Sequence, residues 1–202
     1  MSEVADRAPS DRIPWIPWAI AFYGLLGAAA LLWNGWSGRP WAFADRLAEA
    51  RGVAWGSDLA LGLCAAGAVI VASNLWTQHT EGGRRLAHEL GQLLGPLRWR
   101  DCLVLAALSG FAEEAFFRGA VQPRVGWILA TLLFAAAHFV PGRSLGLWSV
   151  FALLAGGLLG ALFVATGNLL APIVAHAAIN AVNLRMISTR FGGGFEDDPA
   201  PE

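Results

Sequence analysis

Two adjacent carboxylates, Glu113 and Glu114, precede Arg118 inside an apolar run that begins near Cys102. A charge at membrane depth costs roughly 3 kcal/mol on insertion scales, so charges there mark function more often than decoration. Glu114 and Arg118 are four residues apart with the acid first, the favourable order for an ion pair on one helix face. Glu113 projects about 100° around the helix from Glu114 and gains nothing from Arg118 at its spacing. It is the carboxylate left for general-base work. Downstream, Phe134 and His138 are four apart, as are His176 and Asn180, and Asn183 extends the latter stripe by a turn. A lone His on an apolar helix is usually a satisfied core residue. Three apolar helices that carry Glu, His, and His with Asn form a constellation. The same cluster also suits a second role, as a device that specifies helix packing.

These residues need helices to hold them, and the composition supplies membrane-spanning ones. Hydrophobic residues make up 56% of the 202-residue chain and charged residues 14%, against about 25% charged in soluble domains. Mean hydropathy is +0.51. Several apolar stretches approach the roughly 20 residues that cross a bilayer as helix. The expected fold is all-α, a polytopic transmembrane bundle of about six spanning helices. A net charge of -1 offers no basic face for nucleic acid. The partners expected are the lipid bilayer and a peptide or protein substrate.

The expected spans run over about 17–36, 57–76, 101–121, 125–140, 145–166 and 168–187. Trp15, Trp18, Trp33 and Trp36 bracket the first as aromatic belts, and Pro123 ends the third. Gly62 and Gly67 can allow close helix contacts in the second span, and Gly156 with Gly160 give the fifth a small-residue packing face. The 41–51 linker reads as a short interfacial helix. Leu86, Leu90, Leu93, Leu94 and Leu97 form a stripe suited to a surface helix before Pro96. His79 and His88 read as solvated loop residues, and Cys64 and Cys102 as small buried hydrophobes. The domain plan is a cytoplasmic arm (1–14), two N-terminal spans with linkers (15–100), a four-helix catalytic core (101–190) and a disordered tail (191–202). The arm lacks the features of a cleaved signal peptide. Nine arginines fall on the side of the termini and four on the other, which places both termini in the cytoplasm of a multi-pass protein of the cell's inner membrane.

The ordered patterns Glu-Glu-x-x-x-Arg at 113–118, Phe-x-x-x-His at 134–138 and His-x-x-x-Asn at 176–180 resemble the CPBP intramembrane protease family. That family joins type II CAAX prenyl endopeptidases and the bacteriocin-processing or self-immunity (Abi) proteins. The likeness covers about 101–187 and includes Phe-Arg-Gly-Ala at 117–120 and Ala-Pro-Ile-Val-Ala-His at 171–176. The resemblance implies an intramembrane endopeptidase whose catalytic residues are Glu113, Glu114, His138, His176 and Asn180. Glu113 with His138 would activate a water, His176 and Asn180 would stabilise the oxyanion, and Glu114 with Arg118 would hold the motif helix. The family name carries "metalloprotease", so Glu113, His138 and His176 are also candidate Zn²⁺ ligands. A glutamate-activated water without metal stays open beside that, because the His-Glu-x-x-His signature is absent. A non-catalytic immunity or scaffold protein of the same fold is the alternative. One tension remains: Glu113 and His176 lie deep in their spans, whereas His138 lies two residues from Pro141.

Overall fold

The structure, a computed structural model, describes residues 15–38, 53–140 and 145–193. The arm at 1–14, the interfacial helix at 41–51 and the tail from 194 onward lie outside the described residues. The described chain forms α1 (Trp15–Trp36), α2 (Trp55–His79), α3 (Glu81–Leu94) and α4 (Trp99–Glu114). A π-helical segment (Ala115–Val121) continues α4 without a break into α5 (Gln122–Val125). Then come α6 (Trp127–Ala137), α7 (Gly146–Thr166) and α8 (Leu170–Phe191). The fold is the expected all-α membrane bundle. Large apolar side chains such as Leu25, Leu32, Ile128 and Leu154 face outward, as a lipid solvent allows.

Among the described residues, α1 from Ile16, α2, α7 and α8 are long and apolar enough to cross a bilayer. The other two expected spans take different forms. The third does not stop at Pro123, which sits in the first turn of α5 where its missing N–H costs nothing. The stop is Gly126, whose φ of 84° places it in the left-handed region. The fourth is shorter than expected: α6 has 11 residues, about 16 Å of helix, roughly half the hydrocarbon thickness. His138 caps its C-terminus. His138 is therefore presented from the end of α6 rather than from its side.

α8 is the hub, packed against α2 and α4 and more lightly against α3 and α7. Its buried face, Ala171, Ala175 and Ile179, meets Ala66 of α2 and Leu159 and Leu162 of α7. Small residues let the backbones close, since membrane helices gain their contact energy from packing rather than from water exclusion. A Cβ on Gly62 would lie 2.6 Å from the Ala171 carbonyl oxygen, and one on Gly110 would lie 3.0 Å from the Ala177 nitrogen. Gly67 meets nothing within 4 Å and plays no such part. The leucine-rich α3 buries Leu86 and Ala87 while His88 and the arginines at 84 and 85 face outward. Thr80 caps it by accepting the Gly83 N–H at 3.0 Å. His79 and His88 are exposed as expected, but on helices rather than in a loop.

The two glycines of α2 make a controlled comparison. Gly62→Ala should destabilise the protein by about 1–3 kcal/mol through overpacking. Gly67→Ala should be neutral or stabilise by up to about 1 kcal/mol. Thermal unfolding of the two variants in detergent reads the difference.

Candidate active site

Glu114 ends α4 and is completely buried; Arg118, in the π-helical segment, is 1% exposed. π-helical turns inside α-helices are rare and recur at functional sites. Arg118 Nη1 donates to Glu114 Oε1 at 3.1 Å, and its Nη2 donates to the Gly156 carbonyl at 3.0 Å. The guanidinium also lies 4.3 Å from the Phe134 ring centroid, a cation–π arrangement. Only glycine fits at 156, since a Cβ there would come within 2.9 Å of Phe134 Cδ1 and 3.4 Å of Arg118 Nη2. The small-residue face of α7 thus bares its carbonyls as well as admitting neighbours. Gln122 donates to Gly160 O at 3.1 Å, and Trp127 donates to Gly157 O at 2.9 Å.

His176 of α8 joins the ion pair: its Nδ1 lies 2.7 Å from Glu114 Oε1. A carboxylate accepts, so Nδ1 carries the proton and Nε2 faces the site. One carboxylate oxygen therefore holds an arginine of its own helix and a histidine of α8, while the arginine holds α7. The expected two-residue pair is a three-residue cluster.

Glu113 is also buried, but its Oε2 makes no hydrogen bond among the described residues. It faces His138 Nε2 at 3.5 Å, too far for a direct bond. His138 Nδ1 lies 2.8 Å from the Phe134 carbonyl. The carbonyl accepts, so Nδ1 carries a proton and Nε2 is the nitrogen turned to Glu113. Asn180 donates from Nδ2 to Ser109 Oγ at 2.9 Å, and Asn183 accepts from Ser73 Oγ at 3.2 Å. Phe134 stands at the centre, its ring 4.4 Å from that of His138 and 6.1 Å from that of His176.

His138 and Asn180 stand between two cavities, one that His176 also lines and one that Glu113 also lines. A cavity of about 30 Å³ is lined by Phe134, His138, His176 and Asn180, room for about one water. On the other side, Glu113, His138, Ser109 and Asn180 border a cleft of about 580 Å³ whose remaining walls are mostly apolar, including Phe22, Trp76, Leu86 and Leu90. The sequence reading missed Tyr23, which also lines that cleft. It gave Ser109 no part in the site. The available signal was a phenol in an otherwise apolar span and a hydroxyl one turn before Glu113.

The Zn²⁺ set of Glu113, His138 and His176 does not assemble. Among the described residues no three His, Cys, Asp or Glu side chains converge so as to hold a metal ion. These residues do not fit the ion, and no chemical step is derived through it.

Residues 95–182 match the family model described as type II CAAX prenyl endopeptidase Rce1-like. The matched segment contains all three motifs, at 113–118, 134–138 and 176–180. The resemblance read from the three motifs is borne out over this segment, which runs from α4 into α8 and leaves out α1, α2 and α3. The chain is also 43% identical over 82 residues to YpbD, an uncharacterized protein of Bacillus subtilis (strain 168). That alignment covers 40% of this chain and 42% of YpbD, so the chain spans less than half of that relative's length. No solved structure matches the chain.

Removing one member of the buried cluster leaves an uncompensated charge. Arg118→Met should cost about 3–5 kcal/mol, whereas the double variant Glu114→Gln/Arg118→Met should cost less than Arg118→Met alone. Unfolding midpoints of the single and double variants test this.

Proposed function

We propose that the chain is an intramembrane endopeptidase of the CAAX-protease type, cutting a peptide bond in a membrane-associated protein or peptide. The observation that carries this reading is the Glu113–His138 approach, a hydrogen-bond-free carboxylate oxygen 3.5 Å from a histidine nitrogen at the edge of an apolar cleft. A water beside that pair would donate one hydrogen to Oε2 and the other to the Nε2 lone pair. Its own lone pairs then point outward, towards a carbonyl bound in the cleft.

In the reaction Glu113 takes a proton as the water oxygen bonds to the carbonyl carbon. The carbonyl π electrons move to oxygen, and the resulting oxyanion needs donors. Asn180 Nδ2 can turn from Ser109 to supply one, and His176 supplies a second from Nε2 when its ring is doubly protonated, a form that Glu114 supports by accepting from Nδ1. Collapse of the intermediate breaks the C–N bond, and the proton held by Glu113 passes to the departing amine. General-base help of this kind is worth about 10²–10⁴ in rate, and an oxyanion donor about 10²–10³. Glu114 and Arg118 fix the helix from which Glu113 projects.

The protein is further proposed to lie in the inner membrane with both termini cytoplasmic. The arginine asymmetry supports this, as does amphipathic α3, whose Arg84 and Arg85 face outward on the arginine-rich side.

Purified protein in liposomes, given an internally quenched farnesylated CAAX-type peptide, tests the activity. The wild type should cleave it, and Glu113→Ala, His138→Ala and His176→Ala should each lower the rate at least about 100-fold while melting cooperatively. Full activity in all three variants would remove the endopeptidase reading and leave the scaffold one.

A further inference from the structure

Glu113 has a neighbour that none of the three motifs contains. Tyr23 of α1 is the single tyrosine of the chain, and it lies half-buried in the wall of the large cleft. Its hydroxyl interacts with two side chains of α4, the Glu113 carboxylate and Ser109. Ser109 is buried one turn before Glu113. Its Oγ donates to the Ala106 carbonyl at 3.3 Å and accepts from Asn180 at 2.9 Å. Phenol, hydroxyl and amide therefore link α1 through α4 to α8, and the link ends on the carboxylate that faces His138.

The phenol has one proton to give. A carboxylate is a stronger acceptor than a serine hydroxyl, so that proton belongs to Glu113. The consequence is positional. A glutamate carboxyl rotates broadly about its last torsion, and Oε2 makes no hydrogen bond among the described residues to stop it. A donor on the carboxylate from outside α4 sets the plane of the group. α1 rests directly on α4 and the π-helical segment, so its backbone can hold that donor steady.

We propose that Tyr23 is a positioning residue: its hydroxyl holds the Glu113 carboxylate with Oε2 turned to His138, and Ser109 joins it to Asn180. The inference rests on the endopeptidase reading above. It gives α1, which lies outside the Rce1-like segment, a part in the reaction as well as an anchor's part. Because the Asn180 amide and the Tyr23 hydroxyl both meet the Ser109 hydroxyl, disturbing Ser109 should be felt at both.

Tyr23→Phe keeps the ring and removes the hydroxyl. With the quenched farnesylated peptide in liposomes, kcat should fall about 10- to 100-fold, the loss expected for a hydrogen bond to a charged group. KM should stay within about twofold and unfolding should stay cooperative. Ser109→Ala should lower kcat about tenfold. Wild-type kcat in Tyr23→Phe, or a loss confined to KM or to stability, overturns the proposal. A second measurement needs no substrate. With ¹³C-labelled tyrosine the single phenol gives one C–O stretching band, which Glu113→Leu should shift. An unmoved band removes the Tyr23–Glu113 contact itself, whereas a wild type that leaves the peptide intact removes the endopeptidase reading and the role built on it.

Discussion

A carboxylate with no exposed surface, in a bundle bathed by lipid, is the constraint to which the rest of this structure answers. Stripping a charge of water costs several kcal/mol even after the protein relaxes, and only good geometry with further hydrogen bonds offsets it. Glu114 receives that from two directions, Arg118 on its own helix and His176 from α8. Arg118 then needs its remaining donors satisfied, and Gly156 of α7 answers with a bare carbonyl. Three helices are thus brought to one point by the requirements of one charge. The glycine at 156, the phenylalanine at 134 and the π-helical register after Glu114 all make sense as ways to reach that point without a clash.

The neighbouring carboxylate profits from this arrangement. Because Glu114 absorbs the arginine, Glu113, about 100° away on the same helix, is buried without a cation of its own. Its Oε2 faces His138 Nε2 at 3.5 Å, and its carboxylate meets the Tyr23 hydroxyl. The short α6 matters here. By ending inside the bundle it offers a histidine at a helix terminus, where the ring can sit against its own helix carbonyl and keep one nitrogen bare. The cleft beside the site is mostly apolar, so polar groups there interact more strongly than they would in water.

Much of this was legible in the amino-acid order. Charges at 113, 114 and 118 within an apolar run announce both the membrane and the site. The i,i+4 rule separates the paired glutamate from the unpaired one before any coordinates exist. His138, His176 and Asn180 followed from their spacing and from the family they resemble. Other features were hidden because they depend on three dimensions. Pro123 reads as a stop, yet a helix tolerates proline in a new first turn, and the true stop is Gly126, whose positive φ no residue spacing reveals. The link from Glu114 to His176 joins residues 62 positions apart, and only the docking of α8 on α4 makes it. Tyr23 was passed over because an aromatic residue in a span reads first as lipid-facing or as core. The zinc set was plausible by ligand type alone, but ligand type does not show whether three donors converge.

The proposed function divides the labour between two adjacent glutamates. The most direct test measures turnover and thermal stability together in Glu113→Gln and Glu114→Gln, two substitutions that remove the same charge from neighbouring positions. The account predicts that Glu113→Gln loses cleavage and melts close to the wild type, and that Glu114→Gln melts markedly lower. Equal melting temperatures, or activity that survives in Glu113→Gln while Glu114→Gln is inert and stable, would contradict it.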